Sequence, residues 1–475
     1  MIMRKLLVFT VVCLMAVSCV PRPERSYPVP TSQQLEWQQL ETYAFIHFGL
    51  NTFNDMEWGF GDTPSYTFNP KHLDCEQWVL TLKNCGMKGV IFTAKHHDGF
   101  CLWPTETTGY SIKNTYYKKG QGDLVRELSD ACRKHGLKLG IYLSPWDRNQ
   151  AEYGYQGYVE VYHRQIEELT SNYGELFEFW FDGANGGTGW YGGANEMRSI
   201  VAEHYYDYEK ARDIVWSHSP HAAIFGGTVP TLRWVGNEEG WAGTTNWSNY
   251  HADYESLNDT RALSRGFVDG EAWLPAEVDV SIRPGWFYHD HEQPKSVEQL
   301  VDLYYHSVGH NANLLLNFPV NKEGRIPTED SLRAVEWYRT LQAELSDNKL
   351  KDCKVSTDHI RSRRFAPKYV LDEEYTHYWA TEDGVRHAEL VFEFPSTTVL
   401  SRLELQEYIP LGQNVDDFCL DRFINGRWLP IETDEELTTI GYKRLVRFDP
   451  VKMDRLRIRF RVAKGTLCIN KVAAY

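Results

Sequence analysis

Histidines, carboxyl groups and aromatic side chains cluster at four points in the first half of the chain. They occur at His47, in the Lys-His-His-Asp-Gly-Phe run at 95–100, in the Ser-Pro-Trp-Asp run at 144–147 and at Asp182. Two chemistries use such groups. Metal-assisted hydrolysis would need imidazoles and a carboxylate around an ion such as zinc. Glycoside hydrolysis needs two carboxyl groups beside the anomeric carbon, with rings and hydrogen-bond donors that hold the sugar.

The metal alternative would use His47, His96 and His97 as ligands, and Asp182 would be the fourth. Adjacent strand residues point to opposite faces, so His96 and His97 can share one ion only if the strand has already ended in a bend. The His-x-His pair of many barrel metallohydrolases is also missing from the first predicted strand. We therefore favour glycoside hydrolysis and expect neither a metal ion nor another cofactor.

Asp182 has the surroundings of a fixed catalytic carboxylate. It directly follows the Glu-Phe-Trp-Phe run at 178–181, whose rings would exclude water from it. The second carboxyl group is less defined, because Glu238 and Glu239 follow the sixth predicted strand and Glu277 precedes the seventh. Periodicity does not choose among these three candidates for the acid.

Apolar runs alternate with amphipathic stretches from residue 43 onward, which predicts an α/β protein. The predicted strands are 43–48, 89–94, 137–143, 176–181, 222–225, 233–235, 278–282 and 313–318. The predicted helices are 73–85, 123–135, 158–173, 195–217, 296–307 and 329–345. Eight such strands indicate a (β/α)8 TIM-like barrel, whose active site is built from loops at the carboxyl ends of the strands. The alternative, a doubly wound sheet, would need a Gly-rich phosphate loop after the first strand, and the sequence has none there.

The pattern changes after residue 348 to short alternating runs, with a hairpin signal at Asn425-Gly426. This pattern predicts an all-β sandwich, similar to the discoidin-like or galactose-binding-like domains that are often joined to glycosidases. We therefore assign 30–347 to a catalytic barrel and 348–475 to a β-sandwich domain.

The first residues are typical of an export signal. A basic pair at 4–5 precedes the apolar run 6–17, and Ser18 and Cys19 follow. We expect 1–18 to be a signal peptide and Cys19 to carry a lipid, which would make the mature protein a periplasmic or outer-membrane, cell-surface lipoprotein. The net charge of −15 argues against a nucleic-acid partner, and membrane contact is expected only through this lipid.

Five motifs, in order along the predicted barrel, resemble the signatures of glycoside hydrolase family 29, the α-L-fucosidases. They are His-Phe-Gly at 47–49, Lys-His-His-Asp-Gly-Phe at 95–100 with Trp-Pro-Thr at 103–105, Trp-Phe-Asp-Gly at 180–183, Val-Gly-Asn-Glu at 235–238 and Arg-Pro-Gly-Trp-Phe-Tyr-His at 283–289. The resemblance implies a retaining exo-α-L-fucosidase that works by double displacement, with Asp182 as nucleophile and Glu238 as acid/base. The Gly-Asn-Glu and Arg-Pro-Gly-Trp-Phe runs are similar to the branch that prefers α-1,3- or α-1,4-linked fucose.

The same resemblance implies which residues bind the substrate, a fucosylated oligosaccharide or glycoconjugate. The matching positions are His47, Trp58, His96, His97, Tyr142, Trp180, Arg233 and Trp286. A 6-deoxy sugar suits such a lining, because its methyl group needs an apolar wall and its hydroxyls need fixed donors and acceptors. An alternative of another class is a surface glycan-binding protein without activity. Both carboxyl positions are present, so we favour the enzyme.

Overall fold

The structure is a computed structural model that describes residues 21–253 and 255–475. The predicted signal peptide at 1–18 and Cys19 lie outside the described residues. The α-helices of the described part are α1 (Ser32–Gln38), α2 (Leu50–Asn54), α3 (Cys75–Asn84), α4 (Leu124–His135), α5 (Gln156–Asn172), α6 (Ala202–Tyr205), α7 (Tyr208–His218), α8 (Thr260–Arg265), α9 (Val297–His306) and α10 (Thr328–Glu344).

The strands of the same residues belong to the barrel, to two small hairpins and to the C-terminal domain. They are β1 (Thr42–Ile46), β2 (Gly89–Lys95), β3 (Lys138–Leu143), β4 (Glu178–Trp180), β5 (Gly187–Gly189), β6 (Glu196–Arg198), β7 (Ala223–Phe225), β8 (Arg233–Trp234), β9 (Asn249–Tyr250), β10 (Ala272–Trp273), β11 (Ala276–Ser281), β12 (Ala312–Asn317), β13 (Lys354–Thr357), β14 (Trp379–Ala380), β15 (Ala388–Glu407), β16 (Val415–Ile424), β17 (Arg427–Pro430), β18 (Arg444–Ala463) and β19 (Cys468–Ala474).

Eight strands form one parallel sheet in the order β7–β4–β3–β2–β1–β12–β11–β8. Each of them overlaps one of the strands predicted from the sequence, so the prediction of a TIM-like barrel is confirmed. The ladder is interrupted between β7 and β8, where the Thr231 N–H donates to the Ile224 carbonyl oxygen at 2.9 Å. The barrel is therefore nearly closed, and the carboxyl ends of its strands meet at one rim.

The barrel strands are buried on both faces, as parallel strands covered by helices are. In β1, Tyr43 and Phe45 point to the barrel interior, where they pack with rings and aliphatic side chains from the other strands. The alternate residues Ala44 and Ile46 pack outward in the cluster that joins the strands to the helices. This alternation decides which side chains of each strand reach the interior and the rim.

The helix before β3 illustrates how the repeating unit begins and ends. The Asp123 side chain caps α4 by accepting a hydrogen bond from the Arg126 N–H at 2.9 Å. Basic residues occupy the last turn of α4, where they face the negative end of the helix dipole. Gly136 then adopts a left-handed conformation with φ of 72°, which ends the helix and turns the chain into the barrel.

The helix predicted at 195–217 is wrong in its first part. There β5 and β6 pair as a short antiparallel hairpin, so backbone groups that a helix would need are used in a ladder. Asn195 has a left-handed φ of 50°, which a helix does not allow. Arg198 anchors the hairpin, since its guanidinium donates to the carbonyl oxygens of Ala151 and Tyr153 at 2.6 Å each. Only the later part of the prediction is helical, as α6 and α7.

The C-terminal domain is an antiparallel sheet that folds over on itself, as predicted for a β-sandwich. Its strand order is β14–β19–β15–β18–β16–β17, and β13 pairs with β15. The long strands β15 and β18 are each 20 residues long and change register within their ladder, so their two halves serve different parts of the sheet. Asn425 and Gly426 have φ of 52° and 78° in the turn between β16 and β17, as a type I′ hairpin requires.

The sandwich packs against the barrel next to the segment that follows β8. The Asn246 N–H donates to Thr439 Oγ1 at 2.8 Å, and Arg444 Nη1 donates to the Thr244 carbonyl oxygen at 2.7 Å. The Tyr442 N–H donates to Asn311 Oδ1 at 2.7 Å. These bonds tie the segment after β8 and the turn before β12 to the second domain. Within the described residues, no helix has the length and apolar composition that crossing a bilayer requires.

Candidate active site

A cavity of about 470 Å³ opens at the rim formed by the carboxyl ends of the barrel strands. Seven of the eight barrel strands, or the loops that directly follow them, contribute to its lining. The predicted site residues that line it are His47, Trp58, His96, His97, Tyr142, Trp180, Asp182, Glu238 and Trp286. The fold therefore brings together side chains that are up to 239 positions apart in the sequence, from His47 to Trp286.

Asp182 lies just beyond the end of β4, and two donors fix its carboxylate. The Tyr142 hydroxyl donates to Oδ2 at 2.8 Å, and the Ala184 N–H donates to Oδ1 at 2.7 Å. His97 Nε2 lies 3.8 Å from the same Oδ2. The side chain is 20% exposed, so it reaches the cavity while its orientation is set from behind.

Tyr142 is a hydrogen-bond donor because it stays protonated. Burial raises the pKa of Tyr142 well above its usual range, and the negative charge of Asp182 raises it further. The Trp180 ring stacks on Tyr142, with ring centroids 5.4 Å apart. On its other side Trp180 stacks on Phe225 at 3.8 Å. A column of rings thus supports the hydroxyl that holds Asp182.

His47 is a neutral imidazole whose tautomer follows from its partner. Burial lowers the pKa of His47 to about 3. Its Nδ1 lies 2.8 Å from Asn317 Oδ1, while Asn317 Nδ2 donates to Ser281 Oγ and to the Trp286 carbonyl oxygen. Since the Asn317 oxygen can only accept, His47 Nδ1 carries the proton, and Nε2 is left as an acceptor.

His97 has the same tautomer for a similar reason. Ser144 Oγ donates to the Trp146 carbonyl oxygen at 2.8 Å, so it accepts from His97 Nδ1, which lies 2.7 Å away. Burial lowers the pKa of His97, although the Asp182 charge opposes this effect. His96 packs on His97 with ring centroids 4.1 Å apart, and burial lowers the pKa of His96 well below its usual value. Among the residues described, no three His, Cys, Asp or Glu side chains are arranged to hold a metal ion.

Glu238 reaches the cavity from the loop after β8 and is more exposed than Asp182. The Trp286 indole N–H donates to its Oε2 at 3.2 Å. Partial burial is the main cause that raises the pKa of Glu238, the Trp286 hydrogen bond opposes it, and the Asp182 charge adds to it. The two carboxyl groups therefore share one cavity but have different surroundings.

The other two candidates for the acid lie elsewhere. Glu239 accepts a hydrogen bond from the Trp241 indole at 2.9 Å and does not line the cavity. Glu277 lies in the barrel interior below the cavity, where it accepts from the Trp180 indole at 2.8 Å and from the Tyr43 hydroxyl. Burial raises the pKa of Glu277 to about 7. Only Glu238 of the three is placed where it can meet a ligand in the cavity.

A family model described as alpha-L-fucosidase matches residues 19–339. The chain belongs to the α-L-fucosidase family. It is 41% identical over 436 residues to alpha-L-fucosidase 1 of Arabidopsis thaliana, which covers 90% of this chain and 83% of that protein. The crystal structure of a glycoside hydrolase 29 family member from an unknown rumen bacterium is 42% identical, with a TM-score of 0.86 over 96% of this chain and 78% of that chain. A Ruminococcus gnavus GH29 fucosidase, solved in complex with fucose, is 33% identical, with a TM-score of 0.86 over 96% of each chain.

The prediction that this chain is an α-L-fucosidase, and so a glycoside hydrolase, is confirmed by these matches. The five motifs that carried the prediction all lie within the matched residues.

Arg233 is the predicted site residue of the fucosidase that the structure places outside the cavity. Its guanidinium donates to Asn246 Oδ1 at 2.6 Å and to the Trp247 and Leu263 carbonyl oxygens at 2.9 Å each. Arg233 and Trp234 are adjacent in β8 and point to opposite faces, and Trp234 is the one that lines the cavity. With its donors bonded to neighbouring loops, Arg233 has a structural position rather than a substrate-binding one.

The sequence analysis does not identify two acidic residues of the fucosidase, one in the cavity and one that holds a loop of its lining. Asp279 of β11 lines the cavity and accepts from the Trp234 indole at 2.7 Å. The alternation of polar residues in a strand that is buried throughout is the signal that could have found it. Glu57 accepts from the Trp286 N–H at 3.0 Å and from His289 Nε2 at 2.7 Å, so it holds the loop that carries Trp286.

Proposed function

We propose that this α-L-fucosidase is a retaining exo-enzyme that removes terminal α-linked fucose by double displacement, with Asp182 as nucleophile and Glu238 as acid/base. The observation that carries this proposal is the contrast between the two carboxyl groups of one cavity. Asp182 is fixed by Tyr142 and Ala184, whereas partial burial and the Asp182 charge raise the pKa of Glu238. A fixed nucleophile beside a carboxyl group with a raised pKa is the pairing that retaining glycosidases use.

In the first step an Asp182 oxygen attacks the anomeric carbon, and the bond from that carbon to the glycosidic oxygen breaks. Glu238 gives its proton to the departing oxygen, so the leaving sugar departs as an alcohol. A covalent fucosyl-Asp182 ester remains. In the second step Glu238 takes a proton from water, whose oxygen attacks the same carbon and releases Asp182 as a carboxylate. The Tyr142 hydroxyl keeps its proton, so it can donate a hydrogen bond to Asp182 both when Asp182 is a carboxylate and when it is an ester.

The lining of the cavity suits a 6-deoxy sugar. His47 and His97 each have an unprotonated Nε2, which can accept a hydrogen bond from a sugar hydroxyl. The rings of Trp180 and Trp286 offer apolar surface for the sugar face and its methyl group. Trp58 stands at the cavity with 54% of its surface exposed and can cover a bound sugar. The fucose complex of the Ruminococcus gnavus relative supports the same ligand here.

The substrate we propose is a fucosylated oligosaccharide or glycoconjugate with an α-1,3 or α-1,4 linkage. The Gly-Asn-Glu run at 236–238 and the Arg-Pro-Gly-Trp-Phe run at 283–287 support this preference through their likeness to that branch of the family. Hydrolysis rates on α-1,2-, α-1,3-, α-1,4- and α-1,6-fucosylated oligosaccharides test it. Faster cleavage of an α-1,2 or α-1,6 linkage would contradict it.

We also propose that the enzyme is exported and anchored through a lipid on Cys19 after removal of 1–18. The basic pair, the apolar run and the Ser-Cys junction support this. Detergent phase partition of the protein from cells, compared with its Cys19→Ser variant, tests the anchor. The wild type is expected in the detergent phase and the variant in the aqueous phase, and wild-type protein in the aqueous phase would count against lipidation.

The stereochemistry of the product tests the proposed mechanism. Proton NMR of an aryl α-L-fucoside digest is expected to show the α-anomer of fucose first, with the β-anomer appearing later by mutarotation, because two inversions give net retention. Initial release of the β-anomer would mean a single displacement and would exclude Asp182 as a covalent nucleophile.

A further inference from the structure

The inner face of β11 carries a carboxyl group that the proposed reaction does not use. Val278 and Val280 pack outward with the helices, so Glu277, Asp279 and Ser281 face the barrel interior. Of these three, Asp279 lines the cavity. Asp279 is only 3% exposed and lies level with Tyr43 of β1, one inward-facing layer below Phe45, which places it at the floor of the cavity rather than at the rim.

Asp279 has no cation beside it to balance a negative charge. No lysine, arginine or histidine in the described ranges lies within 4.0 Å of its carboxylate oxygens. Its hydrogen-bond donors are neutral, namely the Trp234 indole at 2.7 Å and its own backbone N–H. The ionisable groups that act on it, Glu238 and Glu277, are both acids. Burying an ionised carboxylate without a cation is very costly, so such a group keeps its proton.

We propose that Asp279 is a neutral carboxylic acid that donates a hydrogen bond to a hydroxyl of the bound fucose, and so is a further substrate-contacting residue of this enzyme. The proposal rests on the proposed function, since it takes fucose as the occupant of the cavity. Asp279 Oδ1 accepts from Trp234, which leaves Oδ2 to carry the proton and to act as donor.

This assignment adds a hydrogen-bond donor to the cavity. His47 and His97 present acceptors, because the proton of each ring is on Nδ1 and is already bonded. A sugar hydroxyl both donates and accepts, so these acceptors need donors beside them. His96 is one such donor, because its Nδ1 faces Asn51 Nδ2 and its proton is therefore on Nε2. Asp279 supplies a further donor from β11, which only β12 separates from β1. In an exo-enzyme the terminal sugar enters first and lies deepest, so the floor position of Asp279 points to fucose rather than to the acceptor sugar.

The burial of Asp279 also favours its protonated form. It raises the pKa of Asp279 well above its usual value, and the charges of Glu238 and Glu277 raise it further. A neutral Asp279 also adds no negative charge next to Glu238. Among the neighbouring acids, Asp182 and Glu57 are then the ones whose charges raise the pKa of Glu238.

The test compares Asp279→Asn with Asp279→Leu. Asparagine is neutral, accepts from Trp234 through Oδ1 and donates through Nδ2, so it mimics the protonated acid, whereas leucine has a similar volume and no polar atom. On an aryl α-L-fucoside, we expect kcat/KM to fall less than about fivefold for Asp279→Asn and about 10- to 100-fold for Asp279→Leu, the effect of one lost substrate hydrogen bond. Asp213→Asn, an exposed aspartate outside the cavity, is the matched control. Equal losses in Asp279→Asn and Asp279→Leu would overturn the proposal.

Two further measurements do not depend on how well the leucine variant folds. Infrared difference spectra of wild type against Asp279→Asn at neutral pH are expected to contain the carbonyl band of a protonated carboxylic acid, and a carboxylate band in its place would overturn the proposal. The basic limb of the kcat/KM profile is expected to stay in place in Asp279→Asn. If Asp279 were ionised, its removal would lower the pKa of Glu238 and move that limb to lower pH.

Failure of the proposed function gives a different result. In that case wild type itself releases no fucose from the aryl fucoside, or Asp182→Ala remains active. Failure of the inference about Asp279 is seen with an active wild type and an inactive Asp182→Ala variant.

Discussion

Asp182 is oriented by groups that carry no formal positive charge. The Tyr142 hydroxyl and the Ala184 N–H each bond one of its oxygens, Trp180 stacks behind Tyr142, and Glu277 accepts from the Trp180 indole. A cation paired with the carboxylate would compete with the developing positive charge of the sugar for its electrons. Neutral donors set the direction of attack and leave the charge of the nucleophile available.

The proton of Glu238 gives the first prediction. Because Glu238 must be protonated to assist departure of the leaving group, kcat/KM of the wild type is expected to fall as pH rises through a pKa that partial burial and Asp182 hold above the usual value. Glu238→Gln is expected to lose this basic limb and to slow hydrolysis of a fucosylated oligosaccharide by about 10²- to 10⁴-fold, with a smaller loss on an aryl fucoside whose leaving group needs little protonation.

Glu239→Gln is the matched control for Glu238→Gln. Its side chain bonds the Trp241 indole and lies outside the cavity, so its pH profile and its substrate dependence are expected to follow wild type. A loss of the basic limb in Glu239→Gln, with Glu238→Gln unaffected, would show that the acid has been assigned to the wrong neighbour.

At the scale of the elements, the barrel strands can be predicted from the sequence because they are buried on both faces. The β2 residues, for example, are all buried, and its first four residues form an apolar run. The β5–β6 hairpin cannot be predicted in this way. A glycine-rich stretch precedes Asn195, and residues 195–201 lack the alternation of apolar and polar residues that indicates a strand. Local propensity favoured a helix there, and the anchoring of Arg198 to Ala151 and Tyr153 outweighs it.

The same limits apply to the candidate site. His47, Tyr142, Trp180 and Asp182 lie at or just beyond the carboxyl ends of barrel strands that the sequence predicts, so their place at the rim follows from strand counting and motif likeness. Arg233 lies in β8, a strand of two residues, and so short a strand has no alternation from which to tell its inner face from its outer one. The sequence does not show which of Glu238, Glu239 and Glu277 reaches the cavity. That depends on loop conformation and on depth in the barrel, and neither leaves a periodic pattern of residues.

The end of α4 gives a prediction about stability. Gly136 has φ of +72° and no neighbour within 4 Å of an added Cβ, so Gly136→Ala introduces backbone strain without a clash. The free energy of unfolding, measured by urea denaturation, is expected to fall by about 1 kcal/mol. Gly136→Asn is expected to lose less, since asparagine tolerates the left-handed region. Equal losses in the two variants would indicate a cause other than backbone conformation. Activity at a temperature well below unfolding is expected to be unchanged, because Gly136 precedes the amino end of β3, away from the cavity.

At the scale of the whole molecule, the sandwich is a support for the rim loop that carries Glu238. Arg444 of β18 is buried, bonds the Thr244 carbonyl oxygen and lies 3.1 Å from Glu435, which also pairs with His310 at 2.9 Å. Both domains therefore contribute to one buried polar cluster. Thr244 follows Glu238 by six positions, so this cluster anchors the far end of the segment that carries Glu238.

Arg444→Met tests this support. Removal of the guanidinium takes one charged donor from Glu435 and from the Thr244 carbonyl oxygen, which keep His310 and Thr438 as their remaining partners. The free energy of unfolding is therefore expected to fall by about 2 kcal/mol. Arg459→Met is the control, because Arg459 pairs with Asp421 within the sandwich and its side chain is 44% exposed. Its loss is expected to stay below about 1 kcal/mol. Similar losses in the two variants would mean that the link between the domains contributes no special stability.

The most direct test of the account is to trap the bond that Asp182 is proposed to form. A 2-deoxy-2-fluoro-fucosyl fluoride slows both chemical steps, while its good leaving group lets the first one proceed, so a covalent intermediate accumulates. Peptide mass spectrometry after incubation is expected to place one 2-fluorofucosyl group on Asp182, and Asp182→Ala is expected to be folded, unlabelled and inactive on an aryl α-L-fucoside. A label on another residue, such as Glu238 or Asp279, or fucose release by Asp182→Ala, would contradict the account.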